Sequence, residues 1–260
     1  MRTDPATLTT VLSNAGFIAA EEEAAELLAC AADDGARLDS MIARRLTGEP
    51  LAWITGRVSF CGLEIRVHPG VYVPRWQSEA LARRAVEMMP EKGTAIDLCT
   101  GTGAIARTLL SHRPGARVVA SDLDPRAVAC ASANGVEVYL GDLFAPLPQA
   151  LAGRVDVVIG LVPYVPTAEL PLLQRDTFAF ESPLAYDGGN NGTQILRRVL
   201  TDAPQFLRRG GALLLELGGQ QAAALGDDLA RLGYRDVSVL LDGDGDVRGI
   251  AATCAGSRRR

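Results

Sequence analysis

Residues Thr94 to Ala106 have the sequence TAIDLCTGTGAIA, which predicts a strand, a glycine-containing turn and the start of a helix. The apolar run at its beginning is typical of a buried strand. Gly101 and Gly103 follow the strand end, where glycines let the backbone approach a ligand closely at a helix N-terminus. This stretch therefore predicts the first strand of an α/β domain together with its ligand-binding turn.

Strand and helix patterns alternate from Ser78 onward, which is typical of a parallel sheet with crossover helices. Helices such as SEALARRAVEMM and PRAVACASAN lie between most of the strands. The strand candidates are TAIDLC, RVVASD, VEVYL, VDVVIG, GALLLELG, DVSVLL and GIAATC. The fold class is therefore predicted as α/β, with a seven-stranded sheet.

The N-terminal part follows a different pattern. Up to about Gly48, apolar residues recur at three- and four-residue spacing, which predicts a small helical bundle. From Val58 the apolar period changes to two, which predicts a β-hairpin. We expect a helical domain over residues 1–50, a β-hairpin connector over residues 51–77 and the sheet domain over residues 78–260.

Composition excludes several classes of protein. The 260 residues, 48% hydrophobic and 22% charged, suffice for a full globular core. The N-terminus has no apolar leader, and no apolar run approaches the ~18 residues of a membrane span, so we expect a cytoplasmic protein without membrane contact. The five cysteines are scattered without CxxC spacing, so no disulfide framework and no metal site is predicted.

Charge argues against nucleic acid as a partner. The net charge is -5, and the only purely basic run is the tail SRRR at residues 257–260. Binding to duplex DNA or RNA needs clustered lysines and arginines that replace the phosphate counterions. A direct nucleic-acid substrate is therefore not expected.

Three consecutive strand ends carry residues suited to one nucleoside. Asp97 ends the first strand, and Asp122 ends the second, 25 positions later, where a carboxylate can accept both ribose hydroxyls. The third strand leads into Asp142 and Leu143, where an adenine would lie. Ligands of such sheets bind outside the carboxyl ends of the strands, so these residues predict a nucleoside site.

A dinucleotide is the first alternative, because GTGAIA fits the pattern G-x-G-x-x-A. Asp97 lies four residues before the first glycine of this pattern and would repel a pyrophosphate. The same carboxylate suits a ligand with a positive ammonium group. S-adenosylmethionine has that group, a ribose and an adenine, and it has no phosphate.

Nine motifs carry a family resemblance: GEPLAWITG, FCGLEIRV, PGVYVPRWQSEAL, AIDLCTGTGAIA, SDLDPRAV, GDLFAPL, VPYVP, ESPLAYDGGNNG and LLLELG. In this order they resemble the landmarks of the HemK-type protein-(glutamine-N5) methyltransferases, which modify peptide-chain release factors. The match spans about residue 48 to the C-terminus. Residues 1–47 resemble the substrate-recognition domain of that family in their helical character.

The resemblance implies a Rossmann-like class I methyltransferase domain that binds S-adenosylmethionine. It places Asp97 near the methionine end of the cofactor, Asp122 on the ribose, and Asp142 with Leu143 around the adenine. The full set of implied cofactor contacts is Asp97, Cys99, Thr100, Gly101, Thr102, Gly103, Asp122, Leu123, Asp142, Leu143 and Leu161. Cys99 takes the place of the first glycine of the cofactor loop.

The acceptor motif departs from the family. The fourth strand of such enzymes ends in Asn-Pro-Pro-Tyr, and here it ends in Leu161-Val162-Pro163-Tyr164. An amide nitrogen is a poor nucleophile, and fixing its two protons with two acceptors directs it at the methyl group. Leu161 cannot supply the acceptor that the Asn side chain provides. This departure argues for another substrate or another chemistry.

The resemblance still assigns roles to the remaining residues. Pro163 and Tyr164 are the expected catalytic residues, with the Tyr164 ring packing against a planar substrate or the sulfonium. The expected contacts with the acceptor are Arg75, Leu161, Val162, Pro163 and Tyr164. Trp76 and Tyr186 are candidates for the pocket lining. Glu169, Asp176 and Glu181 follow the VPYVP segment and are candidates for deprotonating a hydroxyl or amine, but a solvated face is the favoured interpretation.

Three functions stay open at this point. The chain is a methyltransferase acting on a protein or peptide side chain, a methyltransferase acting on nitrogen or oxygen of a small molecule, or a cofactor-binding protein without transfer activity. Methylation of DNA adenine is disfavoured, because the chain is acidic and lacks the Asn or Asp of those enzymes.

Overall fold

The computed structural model describes residues 4–173 and 180–255. Asp176 and the basic tail at residues 257–260, both discussed above, lie outside these ranges. Within them, no helix is long and apolar enough to cross a membrane.

The N-terminal region contains four helices: α1 (Pro5–Asn14), α2 (Ala20–Ala31), α3 (Gly35–Leu46) and α4 (Leu51–Thr55). Asp4 starts α1, because its side chain accepts a hydrogen bond from the Thr7 amide at 3.1 Å. Asp34 does the same for α3 through the amide of Arg37 at 3.0 Å. The helices pack on one another through a shared apolar core that includes Leu8, Leu12, Leu27, Leu38 and Met41.

A β-hairpin follows, as predicted. Strands β1 (Arg57–Phe60) and β2 (Leu63–Arg66) pair antiparallel. The two turn residues, Cys61 and Gly62, both have positive φ angles, 50° and 76°. This backbone twist suits a two-residue hairpin turn.

The main sheet has seven strands: β3 (Thr94–Leu98), β4 (Arg117–Asp122), β5 (Glu137–Leu140), β6 (Val155–Gly160), β7 (Leu207–Glu216), β8 (Tyr234–Leu241) and β9 (Val247–Cys254). Their order across the sheet is β5-β4-β3-β6-β7-β9-β8. All seven predicted strands are therefore confirmed. The expectation of a parallel sheet is wrong for β9, which runs antiparallel to both β7 and β8. Only residues 242–246 connect β8 to β9, which is too short for a crossover to a parallel strand.

Helices cover both faces of the sheet. They are α5 (Glu79–Met88), α6 (Ala104–His112), α7 (Pro125–Ala133), α8 (Gln194–Phe206), α9 (Gln221–Ala224) and α10 (Gly226–Arg231). Neighbouring residues of one strand point to opposite faces: Ile96 packs in the core under α8, and Ala95 packs in the core under α5 and α6. Both faces are buried, which explains why the strands are continuous apolar runs.

Candidate active site

A cavity of about 440 Å³ opens at the carboxyl ends of the parallel strands. Strand β6 lies between β3 and β7, and its last residue pairs with Leu98 on one side and Leu215 on the other. The next residues along the three strands are Cys99, Leu161 and Glu216, and all three line the cavity. The chain order reverses between β3 and β6, which is where ligands bind in sheets of this type.

The glycine turn after β3 forms the floor of the cavity. Cys99, Gly101 and Gly103 all have positive φ angles, 54°, 56° and 79°. Gly103 is the N-cap residue of α6, and a Cβ atom there would lie 2.9 Å from Val136. Gly103 is not part of the described cavity lining, so this glycine allows close packing of the turn. Cys99, Thr100, Gly101 and Thr102 do line the cavity.

Asp97 is buried beneath this turn with one oxygen free. Its Oδ2 accepts hydrogen bonds from the Thr100 hydroxyl at 2.6 Å and the Ala106 amide at 3.2 Å. Its Oδ1 has no partner among the described residues, and the residue lines the cavity. Burial raises the pKa of this carboxyl from 3.8 to about 7. A buried carboxylate oxygen without a partner fits the ammonium group of S-adenosylmethionine.

Asp122 links the ends of two strands. Its Oδ2 accepts from the Gly101 amide at 2.8 Å, and its Oδ1 accepts from the Asp124 amide at 2.9 Å. A carboxylate has about four acceptor positions, so both oxygens can still accept ribose hydroxyls. Burial raises the pKa of the Asp122 carboxyl. Leu123 also lines the cavity, and its side chain is exposed.

The third strand end contains a residue pair that the sequence patterns did not indicate. Asp142 and Leu143 line the cavity as expected, and the Leu143 carbonyl accepts from the Ser121 hydroxyl at 2.7 Å. Asp142 pairs with Arg198 of α8 at 2.6 Å, and Arg198 lines the same cavity. Since 56 residues separate the two, no local motif could reveal the pair.

The lining of the cavity is strongly acidic. The described carboxyl residues on it are Asp97, Asp122, Asp124, Asp142, Asp187 and Glu216, and Arg198 is the only described arginine or lysine. S-adenosylmethionine has a sulfonium, an ammonium and one carboxylate, and is therefore a cation. Such a lining favours this ligand and opposes the pyrophosphate of a dinucleotide.

The predicted acceptor turn, residues 161–164, also lines the cavity. Its position is fixed by the loop at residues 186–192, because the Val165 amide donates to the Tyr186 carbonyl at 2.8 Å. The Gly188 amide donates back to the Val165 carbonyl at 2.9 Å. Gln221 donates its side-chain amide to the Tyr164 carbonyl at 2.7 Å. The turn is therefore held through its backbone, and the identity of residue 161 is not needed to form it.

Tyr164 and Glu216 both line the cavity and form a hydrogen bond with each other. The Tyr164 hydroxyl donates to Oε1 of Glu216 at 3.0 Å. Burial raises the pKa of the Tyr164 hydroxyl, which therefore stays protonated and donates. Burial also raises the pKa of the Glu216 carboxyl. Glu216 belongs to the motif LLLELG, which predicted a strand end but assigned this side chain no role.

Arg75, an expected contact with the acceptor, is not part of the described cavity lining. Its guanidinium pairs with Glu181 at 2.9 Å and lies over the Tyr72 ring. Glu181 is only 2% exposed and also accepts hydrogen bonds from the Val73 amide and the Tyr186 hydroxyl. The prediction of a solvated Glu181 is therefore wrong, since a partner 106 residues away in the chain buries it.

Three other candidate residues, Glu169, Tyr186 and Trp76, differ from one another in exposure and in contact with the cavity. Glu169 is exposed, as predicted. Tyr186 lines the cavity, while the side chain of Trp76 is 67% exposed and outside the described lining.

Comparison with known proteins identifies the family. Residues 62–159 match the methyltransferase small domain. The release factor glutamine methyltransferase of Geobacter sulfurreducens is 35% identical over 79% of this chain and 73% of its own length. That of Moorella thermoacetica is 38% identical over 77% of this chain and 74% of its own length. A methyltransferase structure from Pyrococcus furiosus superposes with a TM-score of 0.54, at 18% identity over 84% of this chain and 100% of that chain, which shows the shared fold.

The relatives confirm the resemblance that the motifs indicated, and the cofactor follows from it. Asp97 with its unpartnered oxygen, together with the acidic lining, fits S-adenosylmethionine. The chain is an S-adenosylmethionine-dependent methyltransferase, and it belongs to the family of the release factor glutamine methyltransferases.

Proposed function

We propose that this enzyme methylates a side chain of a protein, and that the acceptor group is not the carboxamide of glutamine. The observation that carries the proposal is Leu161, which lies between the cofactor turn and Glu216 at the end of β6. The names of the relatives specify a release factor glutamine as acceptor. The side chain of Leu161 offers no hydrogen bond to an amide, while the rest of the turn remains in place.

The main task of the chain is to position the two reactants. When bound, S-adenosylmethionine supplies a methyl group that is already activated by its sulfonium. We assign the ammonium to Asp97, the ribose hydroxyls to Asp122, and the adenine to the surroundings of Asp142 and Leu143. Gly101 and its neighbours allow the backbone to approach the cofactor. Pro163 and Tyr164 would hold the acceptor in line with the methyl group, which is the main requirement of such a transfer.

Recognition of the protein acceptor is assigned to the N-terminal helical domain, residues 1–50, with residues 51–77 as the connector. The motif resemblance supports this division, because the substrate-recognition domain of the family is also helical. An acidic cavity with one described arginine opposes a nucleic-acid acceptor.

Labelled S-adenosylmethionine tests the proposal directly. Cofactor affinity is measured first by calorimetry. The enzyme is then incubated with a release factor and with a set of unrelated proteins, and methylated residues are located by mass spectrometry. We expect methylation of a protein residue other than glutamine. Transfer only to small molecules would favour the second function left open above, and cofactor binding without any transfer would favour the third.

A further inference from the structure

The acceptor side of the cavity contains a buried carboxylate without a paired cation. Glu216 is 7% exposed and lines the cavity next to Leu161. Its Oε1 accepts from Tyr164, and its Oε2 forms no hydrogen bond of regular geometry among the described residues, although the buried Ser78 hydroxyl is a neighbouring donor. The guanidinium of Arg248 donates instead to Asp242, at 2.6 Å. A buried carboxylate of this kind is costly to keep unless a ligand supplies hydrogen-bond donors or a positive charge.

Aromatic rings surround the same end of the cavity. Tyr72, Tyr164 and Tyr186 all line it, and the rings of Tyr72 and Tyr186 meet edge to face with centroids 5.6 Å apart. Tyrosine rings attract cations, and this attraction grows where water is excluded. A carboxylate combined with tyrosine rings suits an ammonium group better than a neutral carboxamide.

With Leu161 in place of Asn, the turn lacks the side-chain acceptor that would favour a carboxamide. A glutamine NH2 group needs two hydrogen-bond acceptors, and a buried donor left without one destabilises the bound state. An amine has no carbonyl oxygen to satisfy and can direct its N–H bonds to a carboxylate. Leu161 therefore disfavours a carboxamide, and the Glu216 carboxylate is an acceptor for the N–H bonds of an amine.

We propose that the acceptor is a primary amine, such as a lysine side chain, and that Glu216 receives its proton. This inference rests on the proposed function. The ammonium gives one proton to Oε2 of Glu216, and its nitrogen regains a lone pair. That lone pair forms the new N–C bond as the bond between sulfur and the methyl carbon breaks. The electrons of the broken bond stay on sulfur as a thioether, the product is a secondary ammonium, and Glu216 releases its proton to solvent. Tyr164 positions the carboxylate through its hydroxyl.

The test compares two peptides that differ only in having lysine or glutamine at one position, together with free n-butylamine. The full-length enzyme and the variants Glu216→Gln and Tyr164→Phe are assayed for kcat/KM and for cofactor affinity. Glu169→Gln serves as the matched control, because Glu169 is exposed and outside the described cavity lining.

We expect methylation of the lysine peptide in preference to the glutamine peptide. Glu216→Gln should lower kcat/KM for the amine by about 10²- to 10⁴-fold, as for loss of a general base, with cofactor affinity changed by less than about 3-fold. Retained cofactor affinity shows that the variant is folded. Tyr164→Phe should cause a smaller loss in kcat, and Glu169→Gln should leave turnover unchanged.

Three results would overturn the inference: faster methylation of the glutamine peptide, unchanged amine turnover in Glu216→Gln, or no transfer to any amine by an enzyme that binds its cofactor. Methylation of n-butylamine that depends on Glu216, with both peptides inert, would sustain the amine assignment and refute the protein acceptor. The two proposals therefore fail in distinguishable ways.

Discussion

The carboxylate of Asp122 accepts a hydrogen bond from the Gly101 amide at 2.8 Å, so the end of β4 is tied to the turn that follows β3. The contact requires the left-handed backbone at Gly101, whose φ is 56°. Asp122, to which we assign the ribose, and the turn after β3 are thus positioned as one unit before any ligand binds. Such preorganisation lowers the cost of binding.

Asp122→Ala should weaken S-adenosylmethionine binding by about 10- to 100-fold, the equivalent of losing hydrogen bonds to a charged group. Calorimetric titration measures this change. Asp227→Ala is a suitable control, because Asp227 is exposed on α10 away from the described lining. Unchanged affinity in Asp122→Ala would remove the ribose assignment.

Cofactor affinity should rise with pH across neutrality because of Asp97. The pKa of its carboxyl is about 7 in the folded protein, so the group is neutral below that pH and attracts the ammonium only above it. Titrations from about pH 6 to pH 8 should show this increase. Asp97→Asn should bind weakly and show a smaller pH dependence, and an equally steep profile in that variant would contradict the assignment.

Asp97 should also make the stability of the folded protein depend on pH: its contribution falls as pH rises, whereas cofactor affinity increases. Its folded pKa lies above its unfolded pKa of 3.8, so the folded state binds the proton more tightly between these values. The contribution of this group to the free energy of unfolding is therefore complete below about pH 4 and is lost as pH rises through about 7. Denaturant titration at pH 8 should find the cofactor-free Asp97→Asn variant more stable than the wild type. A less stable variant would show that the charged Asp97 carboxylate does not destabilise the folded state.

Leu161→Asn should create methylation of glutamine in a release factor, because it restores the missing amide acceptor. The turn around residue 161 is held by backbone contacts, which the substitution leaves in place. Mass spectrometry of the glutamine-containing peptide detects the added methyl group. A variant that folds and binds cofactor yet stays inactive on glutamine would show that Leu161 is not the barrier.

Gly192→Ala should abolish methyl transfer while leaving the cofactor side intact. A Cβ atom at residue 192 would collide with the Tyr164 carbonyl and the Gln221 side chain, and φ at this position is 69°. Gly219→Ala is the matched control, since Gly219 has φ of 53° but open space around it. Both variants incur backbone strain of about 1–2 kcal/mol, and only Gly192→Ala should displace the acceptor turn. Equal losses of kcat in the two variants would assign the effect to strain alone.

Glu181→Gln should destabilise the fold by about 1–3 kcal/mol, because it removes the charge of a buried carboxylate that pairs with the partly exposed Arg75. Glu181 has no exposed side-chain surface and pairs with Arg75. Thermal unfolding should show a lower Tm for Glu181→Gln than for the exposed variant Glu169→Gln. Equal Tm values would show that the pair contributes nothing to stability.

Much of the cofactor side could be predicted because its signals are local. Asp97 lies one residue before the end of β3, Asp122 is the last residue of β4, and Asp142 lies two residues after β5. Parallel strands place their carboxyl ends at one edge of the sheet. Seven apolar runs separated by helical patterns were enough to predict the α/β fold. The direction of β9 was missed because apolar runs of parallel and antiparallel strands are alike when both faces are buried.

The sequence by itself therefore determined the fold class, the cofactor and the position at which the acceptor motif departs from its family. Only the tertiary structure decided which side chains meet. Tyr164 and Glu216 are 52 residues apart, Asp142 and Arg198 are 56 apart, and Arg75 and Glu181 are 106 apart. Periodicity and turn residues report burial and backbone conformation over a few residues, whereas a hydrogen bond between distant side chains depends on how strands and loops pack. For this reason the contact between the predicted acceptor turn and the buried Glu216 carboxylate could be recognised only in the folded chain.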